Sequence, residues 1–329
     1  MKHKFDLKHL TMEKKYILTD ETYNFNGHTL YRIKALKSFS NVKEGDLGGW
    51  IEKEDNLSQE GNCWVYENTF VFDNAEVYEN AKVFANAKVY GFAQIFGNAQ
   101  VYGDVSIYSD AKVYDFAQVY WNAQVYGDAR VFGHAQVYGN AEVYGDAKVY
   151  DKAKVYDKAK VYDKASVFRN AEVFGWALVY NNALVYDNAY VNGCAQVYDN
   201  AMVYDNAKIC DNAKIHGGAT VSNDAIVCEN AEIFRLARVD GTARISGTAK
   251  IESYNDYIVF KNWWSSGRYF TWTRSNNMWS VGCFYGTGEE LIKKAYKDSK
   301  RSGEEYKRIV KYVKTISSKK FFKKLFCNL

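Results

Sequence analysis

The chain has 329 residues, 47% of them apolar and 17% aromatic, which is ample material for a core. It contains no proline, as expected of a chain whose backbone N–H groups are nearly all committed to hydrogen bonds. Its net charge of +4 is uneven, because residues 291–329 hold 13 Lys/Arg against three Asp/Glu, so the basic character belongs to the C-terminal tail and not to the whole molecule.

The N-terminus and the cysteines indicate the cellular setting. The segment MKHKFDLKHLTMEKK is charged and lacks the apolar core of a signal peptide, and no apolar run is long enough to span a membrane. The six cysteines show no CxxC pair and no spacing typical of metal ligands. We therefore expect a cytoplasmic protein in a reducing compartment, with free thiols and with no metal or cofactor.

Residues 1–56 lack the repeat that fills the next part of the chain, and we assign them to an N-terminal capping segment. A stack of strands that ends abruptly exposes strand edges and core side chains, so its end needs a cap. Leu47, Trp50 and Ile51 are the apolar residues expected to pack in this cap.

A six-residue repeat with the consensus Ala-x-Val-Tyr-Gly/Asp-Asn/Asp fills residues 57–252. Between Ala75 and Ala249 its first position occurs 30 times and is Ala in every copy except Val105, and Val or Ile always follows two residues later. Residues two apart share one face of a strand, and the residue between them is usually Lys, Glu or Gln, so Ala and Val point inward. A coil that turns a corner every six residues places Ala and Val on the inner face in every repeat. A strand this short cannot reverse into an antiparallel partner six residues later and keep that spacing.

Three repeats per coil give an 18-residue period. We therefore predict an all-β fold, a three-sided parallel β-helix of four-residue strands and two-residue corners. Gly, Asp and Asn at the corners tolerate the left-handed backbone conformation. We expect the corner carboxylates to be solvated and not to hold Ca²⁺, since lysines lie beside several of them.

The fourth position of the repeat is aromatic in 21 successive copies, from Tyr66 to Tyr186, and it points outward. At 18-residue spacing it forms three ladders of rings, which either stabilise the coils by packing on one another or offer a binding surface. After Tyr204 the ladder position is Cys210, His216, Ser222 and Cys228 in turn. Cys210 and Cys228 lie one coil apart, within the range for a disulfide, but a reducing cytosol favours free thiols.

The outward position between Ala and Val becomes apolar near the end of the repeats. It holds Leu178, Leu184, Tyr190, Met202 and Ile226, of which Leu184 and Met202 are stacked one coil apart. Three interpretations stay open for this patch: the C-terminal domain folds back onto it, a second copy of the chain in a dimer or trimer covers it, or a foreign ligand binds there.

Residues 253–329 are predicted to form a small α+β domain with a basic tail. Segments 257–261, 268–274 and 278–285 are typical of antiparallel strands, a capping box at Thr287–Glu290 begins a helix, and a second helix is expected from Gly303 to Ile316. We expect the basic tail to pack on its own domain and not on a membrane. Candidate residues for binding a protein or stacking on nucleotides are Trp263, Trp264, Arg268, Trp272, Arg274 and Trp279.

The leader GHTLYRIKAL…GDLGGWIEKEDNLSQEGNCWVY, followed by NAxVY repeats, resembles the YdcK-type β-solenoid proteins over residues 26–252. The segment GCFYGTGEEL (282–291) resembles a tail found on such solenoids in phages and prophages. The resemblance implies a bacterial or phage origin. Members of the family carry a transferase label by likeness to hexapeptide acyltransferases, but the label brings no set of catalytic residues. The repeat also resembles the hexapeptide motif of left-handed β-helices, which implies a left-handed coil.

Hexapeptide acyltransferases place a His base on a loop extruded from the coil and bind acyl-CoA between subunits. The unbroken phase of the repeats leaves no room for such a loop here. His134 occupies a corner, so the catalytic candidate is His216, which precedes Gly217-Gly218 but has no paired carboxylate or nucleophile that the sequence defines.

These patterns favour a non-enzymatic scaffold over an enzyme. We expect the C-terminal domain and the adjoining coils to engage a host macromolecule, a protein above all, in the cytoplasm of a bacterial host cell. The alternatives are a hexapeptide-type acyltransferase and a counter-defence protein that sequesters nucleotides or nucleic acid. The phage association in this prediction rests on the resemblance to a family and not on the residues of a site.

Overall fold

The computed structural model describes residues 13–317, and no helix within that range is long and apolar enough to cross a lipid bilayer. The start of the chain, the basic tail from residue 318 onward and Cys327 lie outside the described residues. By its internal contacts the chain divides into two compact units, residues 1–133 and 134–329, which are described in turn.

The N-terminal unit begins with three antiparallel strands, β1 (Tyr16–Phe25), β2 (His28–Ala35) and β3 (Leu47–Ile51), and a 3₁₀ turn at Glu54–Asn56. The coil strands then follow six residues apart: β4 (Trp64–Val65), β5 (Phe70–Val71), β6 (Glu76–Val77), β7 (Lys82–Phe84), β8 (Lys88–Val89), β9 (Gln94–Ile95), β10 (Gln100–Gly103), β11 (Ser106–Ile107), β12 (Lys112–Val113), β13 (Gln118–Trp121), β14 (Gln124–Val125) and β15 (Arg130–Val131). Every third coil strand joins the same sheet, and β3 pairs in parallel with β5, so the initial hairpin extends one of the three sheets.

The C-terminal unit continues the same arrangement. Its coil strands are β16 (Gln136–Val137), β17 (Glu142–Val143), β18 (Lys148–Val149), β19 (Lys154–Val155), β20 (Lys160–Val161), β21 (Ser166–Val167), β22 (Glu172–Val173), β23 (Leu178–Val179), β24 (Leu184–Val185), β25 (Tyr190–Val191), β26 (Gln196–Val197), β27 (Met202–Val203), β28 (Lys208–Ile209), β29 (Lys214–Ile215), β30 (Thr220–Val221), β31 (Ile226–Val227), β32 (Glu232–Ile233), β33 (Arg238–Val239), β34 (Arg244–Ile245) and β35 (Lys250–Ile251). Here too each strand pairs in parallel with the strand 18 residues further on.

The predicted three-sided parallel β-helix is confirmed in both units. The Ala and Val positions are buried with at most 1% exposure, and partners such as Val155 and Val173 lie one coil apart. Most strands have two residues instead of the predicted four, because the corner begins earlier: the N–H of Ala153 donates to the C=O of Tyr150 across a tight turn (3.2 Å). The handedness of the coil stays a prediction.

The corner carboxylates are exposed to solvent, as expected, and they also accept hydrogen bonds from the backbone. The residue after the aromatic position has positive φ in nearly every corner, and its N–H points along the stack. An Asp one coil earlier accepts that N–H, as Asp157 does from Gly175 (3.2 Å) and Asp163 from Asn181 (3.2 Å). These bonds supply acceptors for corner N–H groups that lack one in the sheets.

The C-terminal unit closes with a small domain behind a 3₁₀ turn at Tyr254–Asp256. Four antiparallel strands, β36 (Tyr257–Lys261), β37 (Tyr269–Thr273), β38 (Met278–Val281) and β39 (Phe284–Thr287), precede helices α1 (Gly288–Asp298) and α2 (Lys300–Ser317). The capping box at Thr287 and Glu290 is confirmed. The third predicted strand is two strands, because Gly282 (φ +58°) reverses the chain. Helix α2 begins before Gly303, because Ser299 Oγ accepts the N–H of Ser302 (3.0 Å).

The coil ladder is polar, because the N–H groups of each coil donate to the C=O groups of the next. The first coil of the N-terminal unit therefore presents free C=O groups, and donors from the cap meet them. The buried ammonium of Lys15 donates to Glu60 O (3.2 Å) and Cys63 O (3.0 Å), and Tyr16 OH donates to Leu57 O (2.6 Å). Burial lowers the pKa of Lys15.

The last coil of the C-terminal unit presents the opposite groups, and acceptors from the small domain meet them. The N–H of Arg244 donates to Thr271 Oγ1 (2.9 Å), and the N–H of Lys250 donates to Ser275 Oγ (2.7 Å). The carboxylate of Asp256 accepts the N–H of Glu252 (3.0 Å). Each end of the ladder is thus closed by side chains of the matching hydrogen-bonding type.

The predicted ring stacking is confirmed within each unit. In the C-terminal unit Tyr162 lies 4.9 Å from Tyr144 and 4.9 Å from Tyr180 between ring centroids, with the planes within 2°. Rings at this spacing cover one another's faces, so edges and hydroxyl groups remain for solvent. This geometry favours the stabilising interpretation of the ladders.

Substituting Thr271 with Val is expected to lower the free energy of unfolding by about 1–3 kcal/mol, because it leaves the N–H of Arg244 without an acceptor in a partly buried setting. The measurement is urea denaturation followed by circular dichroism, with hydrogen exchange at the Arg244 amide. The matched control is Thr220→Val, since Thr220 faces outward and its own N–H is already paired with Ala237 O. Equal denaturation midpoints for the two variants would contradict this account of the cap.

Alkaline pH is expected to destabilise the ladders. Burial, with smaller contributions from Tyr180 and Tyr144, raises the pKa of Tyr162 to about 12. The pKa of a tyrosine in an unfolded chain is about 10. Between these values the folded state holds a proton that the unfolded state has lost, so stability falls as pH rises. The melting temperature should decline over that range, and less steeply for Tyr162→Phe. A melting temperature that does not change would rule out this effect.

Candidate functional site

The tryptophans of the C-terminal domain do not form one surface, which corrects the predicted binding set. Trp264, Trp272 and Trp279 are 7%, 2% and 2% exposed and pack with Phe270 and Tyr306 in the domain core. The indole N–H of Trp272 donates to Asn277 Oδ1 within the domain (3.0 Å). The reason is the sheet register, which places Trp272 opposite Trp279 on one covered face. These three rings hold the domain together and are not available to a partner.

Trp263 is the member of the predicted set that reaches solvent with its indole ring, at 67% exposure. Its edge is braced against Trp264, and the Arg301 guanidinium lies 5.8 Å from a ring centroid of Trp263. The half-exposed Tyr269 has the Lys261 ammonium 5.6 Å from its ring. We call these four residues (Trp263, Arg301, Tyr269 and Lys261) the aromatic–basic cluster. Arg301 and Lys261 were not predicted, because only the folded domain brings them to the rings.

A cavity of about 340 Å³ opens in the same domain. Arg268 is exposed at its wall, with Asp298 contributing the opposite charge. At its base Asn262 Nδ2 donates to Tyr306 OH (3.2 Å), and burial raises the pKa of Tyr306. Arg274 lies elsewhere, half-buried, with its backbone N–H donating to Asp256 O (2.8 Å). Arg268 therefore lies beside a cavity.

The predicted apolar patch on the coils is divided among three faces. Leu178 lies in one sheet, Leu184 and Met202 are paired in the second, and Tyr190 lies in the third. The stacking of Leu184 on Met202 is confirmed, but the residues do not form one continuous surface. The small domain contacts the last coil at Arg244, through the Thr271 hydrogen bond, and this contact lies beyond the patch onto which the fold-back was predicted.

His216 is a member of an aromatic ladder, with its ring 4.7 Å from Tyr198 and parallel to it. Two carboxylates that the sequence did not define lie beside it: Glu232 Oε1 is 3.0 Å from Nε2, and Asp199 Oδ2 is 3.9 Å from Nδ1. Lys250 donates to the other oxygen of Glu232 (2.9 Å) and, together with His216, holds the pKa of that carboxyl below its usual range. A general base needs a free lone pair aimed at substrate, and here carboxylates face both ring nitrogens.

A shallow groove of about 620 Å³ follows the corner next to His216. Two of its acidic groups are already engaged, since Asp199 accepts the N–H of Gly217 (3.0 Å) and Asp163 accepts that of Asn181 (3.2 Å). Lys164 adds a positive charge. The groove is therefore polar, open and internally hydrogen-bonded.

Cys210 and Cys228 form a disulfide between neighbouring coils, with their Cα atoms 4.7 Å apart. This corrects the expectation of free thiols at these positions. Stacking at 18-residue spacing brings the two side chains onto one face, within bonding distance of each other. Cys63, Cys194 and Cys283 are free thiols.

Comparison with known proteins agrees with the repeat architecture. A family model described as the YdcK β-solenoid repeat matches residues 123–134, 135–151 and 195–211. The uncharacterized acetyltransferase YdcK of Escherichia coli strain K12 is 40% identical over 62 residues, which cover 16% of this chain. The match spans only 19% of the length of that relative. Over these repeats, and in the fold that they build, the chain is similar to the YdcK-type β-solenoid proteins.

Proposed function

We propose that this chain is a non-enzymatic scaffold that binds a protein partner through the aromatic–basic cluster of its C-terminal domain. The observation that carries the proposal is the exposure of Trp263, at 67%, in a domain that buries its other three indoles. The exposed surface of a large ring contributes no hydrophobic free energy to folding. Burying that surface against a partner would contribute it to binding.

The composition of the cluster supports a protein partner. Trp, Tyr and Arg are the residue types most enriched among those that dominate protein–protein binding energy. Trp263 and Arg301 stand together, and Tyr269 adds a second exposed ring. The bracing of Trp263 against Trp264 reduces the rotamer freedom that binding would otherwise remove.

The coils of the C-terminal unit serve as a rigid support in this proposal. Their interior is filled by Ala and Val, their rings cover one another, and the small domain is hydrogen-bonded to the last coil through Thr271 and Ser275. We place the protein in the cytoplasm of a bacterial host, as a phage or bacterial accessory protein acting on a host factor, with counter-defence as one such role. This placement rests on the resemblance of segment 282–291 to phage-associated tails.

Replacing Trp263 with Ala is expected to abolish capture of the partner from a bacterial lysate, because the largest exposed apolar surface of the cluster is removed. The measurement is affinity capture with the full chain as bait, followed by mass spectrometry and titration of the identified protein. We expect a loss of affinity of at least about 30-fold, which corresponds to about 2 kcal/mol for a dominant aromatic contact.

Trp176→Ala is the matched control for this experiment. Trp176 is also exposed, at 60%, and also has a cation at its ring, with Lys158 Nζ 4.0 Å from the centroid, but it lies on a coil corner. Capture should survive this substitution. If Trp176→Ala removes the partner and Trp263→Ala does not, the binding surface belongs to the coils and the proposal fails. Purified nucleotide or nucleic acid that binds at Trp263 would instead favour the sequestering alternative.

Acyl transfer at His216 is the second candidate function. The pairing of His216 with Glu232 and the name of the E. coli relative, an uncharacterized acetyltransferase, favour it. Against it stand the stacking of the ring on Tyr198 and the carboxylate at each ring nitrogen. The matched segment covers only 19% of that relative, so its activity is carried over solely as a hypothesis.

We expect acetyl-CoA to be hydrolysed or transferred no faster with the wild-type chain than with His216→Ala. Release of free CoA thiol, followed with a chromogenic disulfide, measures this directly. The control is His134→Ala, which changes a corner histidine. Turnover that His216→Ala abolishes and His134→Ala retains would establish the transferase and displace the scaffold proposal.

A further inference from the structure

Three potential metal ligands meet at the ends of neighbouring strands in the N-terminal unit. Strands β2, β3 and β5 are consecutive neighbours in one sheet. His28 is the first residue of β2, Glu52 directly follows β3, and Asp73 lies two residues after β5. Their spacing in the sequence, 24 and 21 residues, matches no common motif, so only the register of the initial hairpin against the coils brings them together.

Each carboxylate in this group is oriented by a backbone N–H. Glu52 Oε2 accepts the N–H of Asp73 (2.7 Å), and Asp73 Oδ2 accepts the N–H of Gly91 (3.1 Å). The remaining oxygens face the same imidazole nitrogen: Nδ1 of His28 lies 3.0 Å from Glu52 Oε1 and 3.7 Å from Asp73 Oδ1. Ligands whose second atoms are held by hydrogen bonds are pre-oriented for a metal.

The distances suit a small divalent ion. Bonds of about 2.0–2.2 Å in a tetrahedral site place ligand atoms about 3.3 Å apart. The three candidate ligand atoms lie within 4.8 Å of one another, and the two distances from Nδ1 bracket the required value. The side chains are about one-third exposed, which leaves room for water to complete the coordination shell. The ring of Phe72, 4.9 Å from the imidazole, limits its rotation.

The neighbouring lysine does not compete for the carboxylates. Lys53 follows Glu52 in the chain, but its ammonium donates to Asn74 Oδ1 (2.8 Å). Two carboxylates and one imidazole therefore face each other with a net negative charge when the imidazole is neutral. A divalent cation would compensate that charge.

The histidine cluster of the C-terminal unit has the same composition and the opposite geometry. At His216, Glu232 approaches Nε2 and Asp199 approaches Nδ1, so the two carboxylates lie at different nitrogens of the ring. The second oxygen of Glu232 is taken by the ammonium of Lys250. His28 thus differs from His216 in two ways: both carboxylates face the same ring nitrogen, and no lysine ammonium is paired with its glutamate in the contacts described above.

We propose that His28 Nδ1, Glu52 Oε1 and Asp73 Oδ1 bind a divalent first-row transition metal ion of the zinc type. The imidazole ligand selects such ions over Mg²⁺ and Ca²⁺, which prefer all-oxygen shells. The ion takes the place of the direct contact between Nδ1 and Glu52 (3.0 Å), and it joins three neighbouring strands of the sheet that leads from the cap to the coils. This site is independent of the aromatic–basic cluster and goes beyond the proposed function.

The test is a calorimetric titration of Zn²⁺ into the tag-free full chain. We expect a saturable site and a rise in melting temperature, because an ion that binds the folded chain alone stabilises it. His28→Gln and Asp73→Asn should each weaken the affinity at least about 10-fold. His216→Gln, the matched control, should leave it unchanged. Absence of Zn²⁺ binding, or affinity that survives both ligand substitutions, would overturn the proposal.

Two further measurements keep the result interpretable. Circular dichroism of each variant without metal shows whether the fold is retained, and Glu52→Gln provides an isosteric third variant should one of the others fail to fold. Visible absorption bands of bound Co²⁺ should change on His28→Gln, which reports nitrogen ligation directly. A large excess of Mg²⁺ should leave the Co²⁺ spectrum intact, and its displacement by Mg²⁺ would exclude the transition-metal assignment.

Discussion

The hydrogen-bond polarity of the parallel ladder is the constraint on which the structure depends. Because each coil donates its N–H groups forward and accepts with its C=O groups, the two kinds of ladder end are chemically unlike. One kind needs donors and receives Lys15 and Tyr16, and the other needs acceptors and receives Thr271, Ser275 and Asp256. The non-repeating segments of the chain are therefore not interchangeable covers, since each carries the groups that its own end lacks.

The same polarity governs the corners. A chain that turns every six residues leaves corner N–H groups between the sheets, and acidic side chains one coil earlier accept them. This accounts for the frequent Asp in a position whose positive φ would by itself favour glycine. It also makes the carboxylates of the corner groove part of the scaffold, which weighs against reading that groove as a catalytic or calcium site.

The repeat, the inward Ala and Val positions and the ring ladders could be predicted from the sequence, because they depend on spacing alone. The helix start at Thr287 could also be predicted, since a capping box is local. The burial of Trp272 and Trp279 could not, because it follows from the pairing of β37 with β38, although the alternation of Phe270 and Trp272 was a signal of one covered face. The meeting of His28 with Asp73 depends on the register between the cap and the coils, which no motif encodes. The contact of His216 with Glu232 follows from the 18-residue period, because Glu232 is paired with Lys214 one coil earlier.

The 18-residue pairing has a consequence for how such chains can change in length. Removing or adding 18 residues within the C-terminal unit would return every ladder ring, corner carboxylate and strand partner to an equivalent neighbour. A change of six residues would preserve the Ala–Val pattern yet rotate the last coil by one face under its cap, so that Thr271 and Ser275 would meet the wrong strands. Proteins built on this plan should therefore differ in length by whole coils of 18 residues and not by single six-residue repeats.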